Sequence, residues 1–363
     1  MERKELFNEP FFLQWHLTDR CNLRCRHCYR DEQKQDLSLE KLRNILHRYV
    51  DFMAHLGKRG RVQFCGGEPL LSPHIYTIIE ECTRLRIPTR ILSNGTLITA
   101  DVARRIVDSG CRLVQVSLEG REEVHDAIRG QGSFQRARQG IEAARAAGIQ
   151  ATVAMTVSRE NRDQVMAVAH FAEEHADRVS FHRLVPLGSG AEMRNDMLTP
   201  SELRAMMKEV HRFKKGTHID VPLRDPVWRA YFNPRARGCN GVSGCSAGYN
   251  GLTVESNGDV YPCRRLPIVL GNIQEHSFEE IWRSEILEQL RNRDRLKGRC
   301  GACRLRWLCG GCRGIPYALT GDHLGEDPQC FRGDSVLARV FQSVQGMIGL
   351  IPATPPPSSQ LSH

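Results

Sequence analysis

The chain has 363 residues, 40% of them hydrophobic and 26% charged, with mean hydropathy −0.41, a composition that suits a globular protein of one large domain or two. No apolar run approaches the roughly 18 residues a membrane helix needs, and the opening MERKELFNEP has no signal-peptide core, so a cytoplasmic protein with no membrane partner is expected. The formal charge of +9 leaves anionic partners open, and the 14 cysteines, in a reducing compartment, read as metal ligands rather than a disulfide framework.

In chain order, FFLQWHLT reads as a strand, and LSLEKLRNILHRYVDFMAHL as a helix capped by Ser38 with Glu40 in its first turn. RVQFCGG is the next strand, and SPHIYTIIEECTRL a helix with Ser72 as cap and Pro73 at its first position. IPTRILSNG and TADVARRIVDSG form a third pair, and CRLVQVSLEG and SFQRARQGIEAARAAG a fourth. IQATVAMTV and NRDQVMAVAHFAEEHA follow, then a sixth strand RVSFHRLVPLG. Strands alternating with helices imply parallel pairing through right-handed crossovers, as a doubly wound sheet or a barrel. The helix TPSELRAMMKEVHRFKK carries core methionines, SFEEIWRSEILEQLRNR reads as one helix, and the Pro/Ser-rich end PATPPPSSQLSH as disorder.

The unusual residues sit at strand ends. The triplet Cys21, Cys25 and Cys28 follows strand one, GGEP (Gly66 to Pro69) strand two, and SNG (Ser93 to Gly95) strand three. SLEG (Ser117 to Gly120) follows strand four and PLGSG (Pro186 to Gly190) strand six. In a parallel α/β sheet these ends meet on one face, where active sites are built. A CxxxCxxC loop can wrap three sulfurs around one soft centre, zinc or iron–sulfur, and three ligands leave a position open for chemistry. Eight further cysteines crowd the last third: Cys239, Cys245, Cys263, Cys300, Cys303, Cys309, Cys312 and Cys330. Cys82 and Cys111 read as core residues, and Cys65, beside GGEP, as packing.

Cys21-x3-Cys25-x2-Cys28 after one strand, with GGEP after the next, resembles the radical S-adenosylmethionine (SAM) enzymes, whose fold is a partial (β/α)6 TIM-like barrel. The resemblance implies that Cys21, Cys25 and Cys28 hold a 4Fe–4S cluster whose fourth iron chelates SAM. It places His27 beside the adenine and RLVPLG along it. Gly66, Gly67 and Glu68 would hold the SAM amino group, and Ser93, Asn94 and Ser117 would face its ribose and methionine. Arg129 would pair with its carboxylate, a task that suits a planar fork. Glu119 stands where the family more usually has Asp.

The last third, in which GDVYPC places Gly258 five residues before Cys263, resembles the SPASM extension of these enzymes, a small cysteine-rich domain with two auxiliary 4Fe–4S clusters. By that resemblance Cys239, Cys245, Cys263 and Cys312 ligate the first cluster, and Cys300, Cys303, Cys309 and Cys330 the second. Two residues separate Cys309 from Cys312, where three are common. The expected organisation is a radical SAM barrel over 1–225, a SPASM domain over 226–335, and a C-terminal helix and disordered tail over 336–363.

The implied reaction is reductive cleavage of SAM to a 5′-deoxyadenosyl radical that takes hydrogen from a substrate, with three 4Fe–4S clusters and an external electron donor such as flavodoxin or ferredoxin. The leading expectation for the substrate is a ribosomally made peptide, an acidic one suiting the basic chain, that receives a crosslink with the help of a separate leader-binding protein. The alternative is a tetrapyrrole of an alternative haem or haem d1 pathway, which LTGDHLGEDPQC also resembles. A sulfatase-maturase reading suffers because Arg264 and Arg265, not an acid, follow Cys263. An alternative of another class is a pair of zinc ribbons binding nucleic acid. No catalytic base is legible.

Overall fold

Six parallel strands in sequential order form the body of the protein, each after the first reached through a helical crossover. The structure, a computed structural model, describes residues 10–30, 34–232 and 244–332. Cys239 and the expected C-terminal helix and tail lie outside the described residues. The strands are β1 (Phe11–Thr18), β2 (Gly60–Gly66), β3 (Thr89–Ser93), β4 (Leu113–Ser117), β5 (Gln150–Val157) and β6 (Arg178–Arg183). Between them run α1 (Leu39–Leu56), α2 (Ile75–Arg84), α3 (Ala100–Ser109), α4 (Glu122–Arg129), α5 (Ser133–Ala146) and α6 (Val165–His175). This is the partial (β/α)6 barrel that the family resemblance implies, and it decides between the doubly wound sheet and the barrel that the alternation left open.

Strand β1 shows how sequence becomes layers. Phe11, Leu13, Trp15 and Leu17 alternate on the helix-facing side and are all buried, while Gln14, His16 and Thr18 face the barrel interior. The apolar set packs on α1, whose Ser38 hydroxyl accepts the Lys41 N–H and whose left-handed Gly57 closes its end. Helix α2 begins later than expected: Ser72 accepts the His74 N–H in a turn, and the helix starts at Ile75 with no side-chain cap. Met206 and Met207 of α7 (Pro200–Gly216) are core residues, as are Cys82 and Cys111. Helix α8 (Pro226–Phe232) follows.

The second module is not a separate sheet. Strand β7 (Gly251–Val254) adds parallel to the free edge of β1, and β8 (Asp259–Tyr261) and β9 (Gly271–Asn272) continue antiparallel, giving one nine-stranded sheet. The stretch expected as one helix is two, α9 (Phe278–Trp282) and α10 (Glu285–Arg291), because Ser284 takes an extended conformation between them. Phe278 stacks on Phe52 at 5.6 Å, and Trp282 meets Phe11 edge-on at 5.1 Å, so barrel and extension share one aromatic core. Two short helices, α11 (Gly298–Gly301) and α12 (Gly314–Thr320), complete the cysteine-rich end. Among the described residues, no helix is long and apolar enough to cross a membrane.

Candidate functional site

At the carboxyl ends of the parallel strands the loops enclose a cavity of about 810 Å³. Cys21, Cys25, Cys28 and His27 line it from the loop after β1, and Gly66 and Gly67 from the end of β2. Ser93 and Asn94, Ser117 and Arg129 complete that wall. Ten of the eleven residues expected at the SAM site and its cluster therefore line one chamber, and Glu68 is fully buried beside them.

Backbone contacts hold the cysteine loop in place. The Gly67 N–H donates to Thr18 O and the Glu68 N–H to Arg20 O, both at 2.8 Å. A Cβ on Gly67 would stand 2.3 Å from Arg20 O, and one on Gly66, whose φ is +134°, 2.1 Å from Thr18 O. Only glycine permits that approach. The Arg26 N–H reaches Ile128 O on α4 at 3.0 Å, and the Gly190 N–H reaches Cys28 O at 2.9 Å, so the loop is pinned from both sides.

Two buried carboxylates organise the loops. Glu68 accepts from Ser93 Oγ (2.9 Å), the Asn94 N–H (2.8 Å) and the Leu70 N–H (3.2 Å), so it braces GGEP against SNG. Burial pushes its carboxyl up to about 7 against those hydrogen bonds. Glu119 takes Arg129 Nε (3.0 Å) and Nη2 (2.6 Å) on one oxygen and the Thr156 N–H (2.8 Å) on the other. Burial would raise its pKa, but Arg129 and His27 outweigh burial and hold it well below the usual carboxylate range. With Nε and Nη2 engaged, Arg129 turns Nη1 to Cys25 Sγ at 3.6 Å and Nη2 also to His27 Nε2 at 3.3 Å.

The auxiliary cysteines fall into neighbourhoods. The Cys312 thiol lies in the field of Cys245, and Arg265 in that of both Cys312 and Cys263. Cys330 lies in the fields of both Cys300 and Cys309. The Cys245 N–H donates to Cys309 O, setting the two neighbourhoods side by side. Backbone N–H groups of Leu305, Gly311 and Asp327 point at Cys303, Cys309 and Cys300 Sγ, each at 3.4 Å; such bonds stabilise cluster-bound thiolates. Burial pushes Cys309 up to about 12, and Cys25 and Cys330 up to about 11. Among the described residues no three His, Cys, Asp or Glu side chains converge tightly enough for a single metal ion. A four-iron cluster takes one thiolate per iron and spreads its ligands over its corners.

The sequence reading missed the opposite wall. His182 of β6 and Arg264 and Arg265 also line the chamber. Burial, then Arg265 and Arg264, push His182 down to about 3, so it stands neutral at physiological pH. Cys65 does line the chamber; it accepts from Gln14 Nε2 at 3.3 Å and is buried, so it both packs and faces the site. Behind it His16 Nδ1 pairs with Glu255 of the loop after β7 at 2.9 Å, and Arg30 joins Glu255 to Asp19. Glu255 is 239 positions from His16 in sequence, and no local pattern signals the pair.

The Radical SAM superfamily model matches residues 15–172, and the SPASM iron–sulfur cluster-binding domain matches 245–304. The chain belongs to the radical SAM enzymes and carries their SPASM domain, so it is an enzyme of radical SAM oxidoreductase type whose cofactors are SAM and iron–sulfur clusters. The zinc-ribbon, nucleic-acid-binding alternative is thereby overturned. Within the family, the chain is 32% identical over 343 residues to the AdoMet-dependent heme synthase of Methanosarcina barkeri, covering 89% of this chain and 97% of that one. It is 30% identical over 339 residues to the mycofactocin maturase MftC of Mycolicibacterium smegmatis, covering 89% and 83%. Among solved structures, Streptococcus suis SuiB bound to S-adenosylmethionine aligns with TM-score 0.73 at 19% identity over 90% of this chain and 79% of that one. Native anSMEcpe with bound AdoMet aligns with TM-score 0.70 at 21% identity over 93% and 100%. These two structures bear on the fold.

Proposed function

We propose that this enzyme acts on a carboxylate-bearing tetrapyrrole, with one 4Fe–4S cluster on Cys21, Cys25 and Cys28 and two more on the auxiliary sets. The observation that carries the substrate reading is the charge of the chamber. Arg24, Arg264 and Arg265 line it; Arg24 is exposed and Arg265 feels Cys312, Cys263 and Asp225, but the half-buried Arg264 forms no ion pair or hydrogen bond among the described residues. A half-buried guanidinium such as that of Arg264 favours an anionic partner, and a substrate carboxylate would supply one. The full-length likeness to AdoMet-dependent heme synthases supports the same choice.

Held by Cys21, Cys25 and Cys28 and by the chamber wall, the cluster and SAM would supply radical hydrogen-abstraction chemistry. The chain's own part is positional. Gly66 and Gly67 bring backbone close to the SAM amino group, and Ser93, Asn94 and Ser117 line its ribose side. Arg129, clamped by Glu119, offers its remaining N–H donors to the carboxylate beside Cys25. Arg264 fixes the substrate, and neutral His182 adds a hydrogen-bonding group without adding charge. An external donor such as flavodoxin or ferredoxin would provide electrons, in the cytoplasm.

A second reading, crosslinking of an acidic ribosomal peptide with a separate leader-binding protein, draws on the likeness to the mycofactocin maturases; an acidic peptide would also satisfy the arginines. Anaerobic reconstituted enzyme with SAM and a reductant should change the mass of an iron tetrapyrrole bearing propionates, iron coproporphyrin III, and leave an acidic precursor peptide untouched. Loss of two hydrogens from the peptide with no change in the tetrapyrrole would reverse the choice.

A further inference from the structure

Arg183, the last residue of β6, is 2% exposed yet lines the substrate chamber. Its guanidinium is fully used. Nε and Nη2 grip Asp225 at 2.7 and 3.2 Å; Nη1 and Nη2 grip Asp327 at 3.0 and 2.9 Å; Nη1 also reaches Gln329 Oε1 at 3.2 Å. Asp327 is completely buried, and its surroundings are unusual. Its Oδ2 accepts the backbone N–H of Cys312 at 2.9 Å, while its own N–H donates to Cys300 Sγ at 3.4 Å. One aspartate therefore touches a cysteine from each of the two auxiliary sets, and its partner arginine touches the chamber.

A buried ion network of this kind is weak evidence for stability, since apolar groups of the same shape often serve as well or better. It is better explained by what its charges do to their neighbours. The potential of an iron–sulfur cluster follows net charge and hydrogen bonds to its sulfurs, and a charge in a low-dielectric interior acts strongly over such distances. We propose that the Arg183–Asp327 pair is a positioning bridge that sets the reduction potentials of both auxiliary clusters together and ties them to the substrate wall of the barrel. The inference rests on the two ligand sets proposed above.

The sign of each effect is fixed by electrostatics. Reduction adds negative charge to a cluster, so losing the Asp327 carboxylate favours the reduced state and losing the Arg183 cation disfavours it. Redox titration followed by electron paramagnetic resonance tests this on reconstituted protein in a Cys25→Ala background, where the auxiliary signals stand alone. Asp327→Asn should raise the auxiliary midpoint potentials and Arg183→Gln should lower them. Each shift should change the oxidised-to-reduced ratio at fixed potential by tenfold or more, about 59 mV for one electron. Shifts in the same direction, or none with iron retained, would overturn the proposal, because a purely structural role has no reason to produce opposite signs. If either variant loses iron, Gln329→Glu decides: it keeps the acceptor facing Arg183 and adds one negative charge, so it must lower the potentials, and no shift refutes the bridge. Failure of the ligand sets reads differently, as about four irons per chain in the otherwise unaltered protein instead of about twelve.

Discussion

Replacing Glu119 by glutamine tests the inner clamp of the site. The carboxylate is 1% exposed and its partner Arg129 10%, with contacts of 2.6 and 3.0 Å. Removing one partner of a buried pair leaves the other uncompensated, at a cost of about 3–5 kcal/mol. At about 2–4 °C per kcal/mol for a domain of this class, the midpoint of thermal unfolding should fall by roughly 6–20 °C. The double variant Glu119→Gln/Arg129→Met, which removes both charges, should recover much of that loss. Linkage adds a pH signature. Because the folded pKa of Glu119 is depressed below its ordinary 4.5, its contribution is complete above that value and is lost as pH falls through the depressed one. The gap between parent and Glu119→Gln should thus be full at pH 7 and narrow on acidification below about 4.5. Differential scanning fluorimetry across pH reads both effects. A double variant less stable than Glu119→Gln, or a gap that widens toward low pH, would refute the clamp.

Three other expectations follow from the same geometry. Gly67→Ala forces a Cβ into Arg20 O, which should cost about 1–3 kcal/mol and lower the iron content by displacing the cysteine loop; full iron with an unchanged melting midpoint would show that the contact is unimportant. Arg264→Gln should weaken substrate binding roughly 10- to 150-fold, the value of about 1.5–3 kcal/mol for a charge-assisted bond, and Arg264→Lys should restore part of it; equal affinity in isothermal titration contradicts the charge argument. Burial works against protonation of His16, but Cys65 and Glu255 outweigh it and push its pKa up to about 9 from 6.5. A raised folded pKa means stabilisation complete below 6.5 and lost as pH rises through about 9. That loss is on the order of 3 kcal/mol, and it should vanish in His16→Gln; an alkaline loss of the same size in that variant would assign it elsewhere.

What was legible in the sequence was local. The apolar and aromatic run from Phe11 to Thr18, the Ser38 cap and the cysteine spacings are each written within a few residues, and each has a short-range physical cause. Glu119 was visible only as a departure from the family's usual residue, since its meaning depends on α4 bringing Arg129 back across the end of β4. Glu68 was expected to hold the SAM amino group; that its carboxylate also accepts the Ser93 hydroxyl and the Asn94 and Leu70 N–H groups depends on β2 and β3 ending side by side. The split between α9 and α10 was hidden because apolar periodicity runs through Ser284. Arg183 with Asp327 and His16 with Glu255 lie 144 and 239 positions apart, and no spacing rule reaches that far.

The pairing of β1 with β7 also governs how the chain must be made. The edge of β1 that β7 covers is a row of open N–H and C=O groups, a template for unwanted strand addition. At about 5–20 residues per second, the roughly 240 residues from Phe11 to Gly251 take about 12 to 50 s to leave the ribosome. For that interval the nascent barrel carries a sticky seam that only its own downstream segment can close. Chains released before residue 251 should therefore be the ones that aggregate, whatever their cluster content.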